Sequence, residues 1–166
     1  MGVPKVAITI RKMIKKDMNI VQDIAITTWH ATYTGIIPRD IQDDFLKKAY
    51  SNQMMKQRLK QPYFFVAEFN GDVVGFAQFT VPDKHGMTEL VAIYLYPEYQ
   101  GKGIGSAFLE KGIEYLEHAN EIQLNVEKDN RQGRRFYEAK GFIVIDEYEE
   151  DFAGHILNTI RMSLKI

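Results

Sequence analysis

Three glycines that alternate with other residues are the part of this sequence whose spacing most clearly predicts chemistry. They lie in a loop between a strand-like and a helix-like segment, and the loop comprises Gln100, Gly101, Lys102, Gly103, Ile104, Gly105 and Ser106. Because glycine has no Cβ atom, a ligand can approach such a backbone closely. The first N–H groups of a helix have no intrahelical partner, and the helix dipole favours negative charge there. The loop therefore predicts a cradle of backbone amides, aided by the charge of Lys102, for the phosphates of a ligand.

The spacing within this loop excludes two common phosphate-binding motifs. A dinucleotide fingerprint needs a glycine where this sequence has Ser106, and a P-loop needs Gly-Lys-Ser/Thr after a four-residue gap. The pattern that remains is Gln100 followed by Gly103 and Gly105. A glycine-rich turn that serves only close packing is the alternative interpretation.

Two further segments extend this pattern on either side of the loop. An apolar segment, residues 89–97, precedes it and ends at Pro97. The signature Asn-x5-Phe-Tyr-x3-Gly-Phe follows it, formed by Asn130, Phe136, Tyr137, Gly141 and Phe142. In this order the three segments resemble the signatures of the GNAT superfamily of N-acetyltransferases, over about residues 63–145. The resemblance implies that the loop binds acetyl-CoA as the co-substrate.

The resemblance also implies how the rest of acetyl-CoA is bound. The pantetheine arm would lie along the backbone of the central strand, at Ile93, Tyr94 and Leu95, as a peptide does in strand addition. The sheet would then have to open between this strand and residues 121–126. Asn130 would contact the same arm, with an N-cap of the following helix as the alternative or additional role.

Two side chains are candidates for proton transfer. The resemblance places Tyr137 near the thioester sulfur, where a phenol can protonate the leaving thiolate; a core aromatic is the alternative. The attacking amine arrives as an ammonium ion near neutral pH and must lose a proton. Glu89, at the start of the central strand, is the candidate base, directly or through water, and an exposed strand-edge glutamate is the alternative.

An aromatic pair four residues apart, Trp29 and Tyr33, resembles the region that forms the acceptor pocket in bacterial polyamine acetyltransferases of the spermidine/spermine type. Packing within one helix is the alternative. Nearby carboxylates can hold a cationic substrate or form a solvated face; they are Asp40, Asp43, Asp44, Glu147, Glu149, Glu150 and Asp151. The predicted reaction is direct acetyl transfer to a primary amine, with a polyamine or another small cation as acceptor. The alternatives are a peptide N-terminus and a non-catalytic acyl-CoA-binding module.

The elements that must position these residues follow from hydrophobic periodicity and turn residues. Residues 1–166 are expected to form one α/β domain in the order β-α-α-β-β-β-α-β-α-β-β, with a mixed, mostly antiparallel sheet and helices on both faces. Residues 6–12 form the first predicted strand, and Pro38 begins a second helical stretch that extends to Leu59. Asn70-Gly71 predicts a type I′ hairpin turn, which requires positive φ at both positions.

Composition limits the remaining possibilities. The chain has 166 residues, 45% of them hydrophobic, a net charge of −1 and no cysteine. A near-neutral charge favours neither nucleic acid nor a membrane surface as a partner, and the absence of cysteine excludes a thiol nucleophile. The four histidines lack metal-ligand spacing, so no metal is expected. We expect a cytoplasmic enzyme with a small-molecule amine substrate, and the sequence leaves open whether two copies form a homodimer.

Overall fold

One mixed sheet forms the centre of the protein. The computed structural model describes residues 7–166, and within them the strands are β1 (Ile8–Lys12), β2 (Phe64–Phe69), β3 (Asp72–Phe79), β4 (Met87–Leu95), β5 (Glu121–Glu127), β6 (Ile143–Phe152) and β7 (His155–Lys165). They lie in the order β1-β2-β3-β4-β5-β7-β6. Only β4 and β5 pair in parallel, and the other neighbours are antiparallel. The predicted fold class is confirmed.

Helices cover both faces of this sheet. In residues 7–166 they are α1 (Met18–Tyr33), α2 (Arg39–Ala49), α3 (Asn52–Leu59), α4 (Ile104–Tyr115) and α5 (Arg131–Ala139). Helices α1 to α3 pack over one apolar cluster, and α4 and α5 pack over another. None of the helices in this part of the chain is long and apolar enough to cross a membrane.

The segment from Pro38 to Leu59 differs from the prediction because it contains two helices rather than one continuous helical stretch. The break lies after Tyr50, where Ser51 has an extended backbone and its Oγ accepts a hydrogen bond from the N–H of Met54, at 3.2 Å. Serine favours such an N-cap position because its hydroxyl bonds the free backbone N–H groups of the first turn. The observed order therefore has one helix more than the predicted order.

Strand β2 explains how the sheet supports two cores. Its alternate residues point to opposite faces, so Phe64 and Val66 join the cluster under α1 to α3 while Phe65 and Ala67 join the cluster under α4. All four are buried, which accounts for their uninterrupted apolar run. The next turn is the predicted hairpin, with φ of 51° at Asn70 and 91° at Gly71. Val6, the predicted start of β1, lies outside the described residues.

The parallel pair at the centre of the sheet separates after a short contact. Strands β4 and β5 are paired only at Met87–Glu121, Thr88–Ile122 and Glu89–Gln123. Beyond Glu89, β4 continues to pair with β3, and β5 continues to pair with β7 as far as Glu127. The sheet therefore opens between β4 and β5, as the sequence resemblance implied.

Candidate active site

A cavity of about 500 Å³ occupies the opening between the two separated strands. Its walls are the later part of β4, the glycine loop with the start of α4, the end of β5 with α5, and the last turns of α1. Most of the predicted site residues line it together: Trp29, Tyr33, Ile93, Tyr94, Leu95, Gln100, Gly101, Gly103, Ile104, Gly105, Ser106, Asn130 and Tyr137. The two exceptions are Lys102 and Glu89.

The glycine loop has a backbone that other residues adopt only with strain. Gly101 and Gly103 have φ of 76° and 86°, and a Cβ atom added to either would meet nothing within 4 Å. Glycine is thus required at these positions by conformation, while the adjoining space stays open to a ligand. Gly105 differs, because an added Cβ would lie 2.8 Å from Cζ of Phe136. There the packing interpretation applies, since Gly105 lets α4 and α5 approach closely.

Helix α4 presents free backbone donors to the same space. Its first hydrogen bond runs from the N–H of Ala107 to the carbonyl oxygen of Gly103, at 3.1 Å. The three preceding N–H groups, of residues 104–106, have no intrahelical acceptor. Together with the helix dipole they make a site that fits an anionic phosphate group. The loop geometry therefore fits the predicted role in binding the phosphates of CoA.

The charged side chain that lines the cavity is not the one that the sequence predicted. Lys102 is exposed, and its Nζ lies 5.8 Å from the ring centroid of Phe69 rather than in the cavity. Lys140, which the sequence reasoning missed, is the charged side chain among the lining residues of the described chain. It follows Tyr137 by three residues at the end of α5, so helical spacing could have indicated that the two lie on one face.

One edge of β4 faces the cavity. On its other edge β4 pairs with β3 at Gly75–Leu95, Phe76–Tyr94 and Ala77–Ile93. Within residues 7–166, the backbone groups that point away from β3 have no partner strand beyond Glu89. Such an edge can pair with the amides of an extended ligand. This fits the predicted binding of the pantetheine arm along Ile93, Tyr94 and Leu95.

Tyr137 lies on α5 with a free hydroxyl group. Its ring packs edge-on against Phe136 and Phe142, at centroid distances of 5.5 and 5.6 Å. Within residues 7–166 no group forms a hydrogen bond with its hydroxyl. Burial, and next the nearby Tyr94, raises the pKa of Tyr137 above the ordinary value for tyrosine. The phenol therefore keeps its proton at neutral pH and is available as a donor.

Asn130 sets the position of α5. Its side-chain oxygen accepts a hydrogen bond from the N–H of Gly133, at 3.0 Å, so Asn130 is the N-cap of the helix that carries Tyr137. It also lines the cavity, which is consistent with the predicted contact to the pantetheine arm. Both interpretations of Asn130 are thus geometrically compatible.

The end of the cavity next to α1 is aromatic. Trp29 stacks on Phe45 with centroids 4.4 Å apart and packs against Tyr33 at 4.6 Å. The indole N–H of Trp29 donates to the hydroxyl oxygen of Tyr94, at 3.1 Å. Trp29 is only 6% exposed, so it serves as core packing as well as cavity wall. This part of the site offers aromatic surface to an acceptor.

The carboxylates expected near the acceptor lie elsewhere. Glu89 is in the paired part of β4, where its carboxylate forms an ion pair with Arg161, and it does not line the cavity. Its assignment as the base stays a prediction that requires water to carry the proton. None of the other seven predicted acidic residues lines the cavity within the described chain. Asp43 pairs with His30 at 2.8 Å, and Glu147 pairs with Lys128 at 2.8 Å.

One buried carboxylate was not singled out from the sequence. Glu127 is the last residue of β5, and only 8% of its surface is exposed. Its Oε2 accepts a hydrogen bond from the N–H of Asp129, at 2.5 Å. No local pattern distinguishes it from the exposed acidic residues around it, because its burial results from the packing of distant elements.

Comparisons with known proteins agree with this geometry. Residues 24–142 match the sequence model of the acetyltransferase (GNAT) family. A spermidine N(1)-acetyltransferase from Thermoplasma acidophilum is 27% identical over 154 residues, 88% of this chain and 94% of that protein. An uncharacterized N-acetyltransferase from Bacillus subtilis is 33% identical over 112 residues, 66% of this chain and 64% of that protein. The crystal structure of the PaiA N-acetyltransferase from Thermoplasma acidophilum in complex with coenzyme A superimposes with a TM-score of 0.84 and 26% identity, over 96% of this chain and 99% of that one.

Proposed function

The chain belongs to the acetyltransferase (GNAT) family and is an acetyl-CoA-dependent N-acetyltransferase, and from this premise we propose that its acceptor is a polyamine or another small cationic amine. The observation that carries the proposal is the aromatic end of the cavity, built by Trp29 and Tyr33 on the last turns of α1. Aromatic faces attract ammonium groups, most strongly where water is excluded. The spermidine acetyltransferase from Thermoplasma acidophilum, similar over most of its length, supports the same acceptor class.

We propose a direct reaction in a ternary complex. The amine nitrogen forms a bond to the acetyl carbonyl carbon, the carbon–sulfur bond breaks, and the sulfur leaves as the thiolate of CoA. No covalent enzyme intermediate is required, in keeping with a chain that has no cysteine. Much of the rate enhancement then comes from holding the two substrates in a reactive orientation.

Three groups of the protein have proposed roles in this reaction. Backbone N–H groups on the free edge of β4 stabilise the negative charge that develops on the carbonyl oxygen. The hydroxyl of Tyr137 donates its proton to the leaving thiolate, so that CoA leaves as the thiol, and the phenolate then regains a proton from water. The carboxylate of Glu89 lies outside the cavity, so the proton released by the amine must travel through water. Glu89 remains the proposed final acceptor of that proton.

The phosphates of acetyl-CoA would be held by the glycine loop and the N-terminus of α4. The residues present fit this group, because the loop backbone at Gly101 and Gly103 is open to a ligand and Lys140 brings a positive charge to the lining of the cavity. An extended pantetheine arm fits the free edge of β4 because the backbone groups on that edge are not paired with β5.

The test of the acceptor is steady-state kinetics of thiol release with three substrates: spermidine, a monoalkylamine of similar length, and a peptide with a free N-terminus. We expect kcat/KM for spermidine to exceed that for the alkylamine by about tenfold or more and to fall with added salt, because a second ammonium group adds an electrostatic contribution. Equal rates for spermidine and the alkylamine would exclude a polyamine preference. A preference for the peptide would assign the protein-modifying alternative instead.

A further inference from the structure

Glu127 is a buried carboxylate without a cationic partner. One oxygen, Oε2, is bonded to the N–H of Asp129 at 2.5 Å. In the part of the chain that the structure describes, no group donates a hydrogen bond to the other oxygen, Oε1, and no lysine, arginine or histidine pairs with this residue. With only 8% of the residue exposed, water can compensate the charge only in part. A cation brought next to Glu127 would therefore be stabilised more than one at the surface.

The alternation of β5 directs this carboxylate toward the acceptor side of the sheet. Ile122, Leu124 and Val126 belong to the core under α4, so the residues between them point to the opposite face, toward α1. Asn125, the neighbour of Glu127 on that face, lines the cavity. Glu127 is the next residue on this face, two positions after Asn125, and it lies beyond the point where β4 and β5 separate.

The charge of Glu127 reaches the aromatic end of the cavity. Burial is the main cause of the raised pKa of Tyr33, and the neighbouring phenol groups of Tyr94 and Tyr137 and then the carboxylate of Glu127 add to it. Tyr33 itself lines the cavity and packs against Trp29. Glu127 is not one of the residues that line the cavity, but Asn125, two residues before it on the same face of β5, does line it, which places the carboxylate of Glu127 beside this space.

We propose that Glu127 determines specificity for acceptors that carry a second positive charge. Its carboxylate stabilises the non-reacting ammonium group when that group lies at the end formed by Trp29 and Tyr33. This inference rests on the proposed function, because it names the residue that makes a polyamine a better acceptor than a monoamine. It also explains why a cationic acceptor is compatible with a cavity whose own lining contains no carboxylate within the described chain.

The test is the variant Glu127→Gln, because a glutamine oxygen can still accept the hydrogen bond from the N–H of Asp129. We expect KM for spermidine to rise about tenfold, the equivalent of one hydrogen bond to a charged group. The values of kcat and of KM for acetyl-CoA should stay within about twofold of the wild-type values. The value of kcat/KM for the alkylamine should equal that of the wild type. The salt dependence of spermidine use should weaken with the loss of the charge.

The matched control is Glu121→Gln, on the same strand and the same face. The carboxylate of Glu121 is bonded to Ser163 and Gln123 and pairs with Lys165 at 3.1 Å, at the closed end of the β4–β5 pair. The variant Glu121→Gln should leave KM for spermidine unchanged.

Three outcomes overturn the inference. The first is an unchanged KM for spermidine in Glu127→Gln, provided that the wild-type enzyme prefers spermidine to the alkylamine. A parallel rise in KM for acetyl-CoA does so by showing that Glu127 only supports the β5–α5 junction. A wild-type enzyme with no preference for spermidine overturns the proposed acceptor, and this inference with it.

Discussion

At the residue scale, protonation and backbone conformation decide what the site can do. Tyr137 can donate a proton because a phenol is neutral at pH 7, the more so where burial raises its pKa, and because no group in residues 7–166 engages its hydroxyl. Gly101 and Gly103 have a backbone that exposes amides to a ligand. Each of these properties can be removed by a single substitution that leaves the surrounding packing in place.

We expect Tyr137→Phe to lower kcat by about 10²-fold, in line with typical contributions of a positioned acid, with little change in affinity for CoA. The measurement is steady-state thiol release combined with titration calorimetry. The control is Tyr115→Phe, which removes a hydroxyl from an exposed tyrosine at the end of α4 and should keep wild-type turnover. Turnover within about twofold of wild type in Tyr137→Phe would identify it as a structural aromatic.

We expect Gly103→Ala to weaken CoA binding at least tenfold, because the αL backbone at this position strains any other residue and shifts the amides of the loop. The loss of stability should be only about 1 kcal/mol, since nothing lies within 4 Å of the added Cβ. Titration calorimetry with CoA and urea unfolding measure the two effects.

Gly71→Ala provides the control for this substitution. Gly71 also has positive φ, at 91°, and open space around it, but it lies in the β2–β3 turn. It should show the same loss of stability with unchanged CoA affinity. If Gly103→Ala binds CoA as the wild type does, the loop does not act as a backbone cradle.

At the element scale, a partly buried ion pair fixes the entry of the chain into α1. Asp17 precedes this helix, and its carboxylate accepts hydrogen bonds from two nitrogens of Arg11, at 2.7 and 3.0 Å, and from the N–H of Ile14, at 2.9 Å. Arg11 also bonds Glu68 on β2. The network links β1, β2 and the start of α1, which is the helix that carries Trp29 and Tyr33.

We expect Asp17→Asn to lower the free energy of unfolding at pH 7 by about 1.5–3 kcal/mol, the range for hydrogen bonds to charged groups. Burial alone raises the pKa of Asp17, but the bonds from Arg11 and Ile14 outweigh it, and the pKa lies below its ordinary value. The stabilisation is therefore present above the unfolded-state pKa of about 3.9 and is lost as pH falls through the lower folded-state pKa.

Urea unfolding of both proteins at pH 7 and at pH 3 measures this dependence. The difference between wild type and Asp17→Asn should be smaller at pH 3. The control is Asp44→Asn, which breaks an exposed pair with Lys48 and should change the stability by less than about 0.5 kcal/mol. A difference that is constant with pH would mean that the charge of Asp17 contributes nothing.

At the scale of the whole molecule, the sheet consists of two parts joined at one end. Strands β1 to β4 form the first part and β5 to β7 the second, and between β4 and β5 only three residue pairs are in register. The cavity lies where the two parts separate, and its walls come from both. A ligand that lies between β4 and β5 therefore bridges the two parts of the sheet.

We expect CoA at a hundred times its dissociation constant to stabilise the protein by about 2.7 kcal/mol and to raise Tm by about 5–10 °C. Hydrogen exchange should slow at the free edge of β4, residues 90–95, when CoA is bound. Amides in the β1–β2 pair, outside the cleft, serve as the internal control. Binding without added protection of residues 90–95 would place CoA somewhere other than along β4.

Local signals determined a large part of this protein. The glycine loop, the Asn70-Gly71 turn and the Asn130 cap each depend on backbone conformation and hydrogen bonds within a few residues. The structure has positive φ in the loop and in the predicted turn, and it has the cap that the sequence offered as an alternative or additional role of Asn130. Alternating and helical periodicity then predicted the strands, and most of the helices, in their order along the chain. The cap at Ser51 is equally local, but the prediction of one helical stretch from Pro38 to Leu59 did not consider it.

Only the tertiary structure decided which charges face the site. Glu89 was predicted as the base or as an exposed strand-edge glutamate, and its partner Arg161, 72 residues later on a different strand, was not foreseen. Lys102 lies over Phe69 while Lys140 reaches the cavity, and Glu127 is buried where similar carboxylates are exposed. The physical reason is that a side chain's charge acts through its neighbours in space, and those neighbours are set by strand pairing and helix packing between distant segments rather than by the residues beside it in sequence.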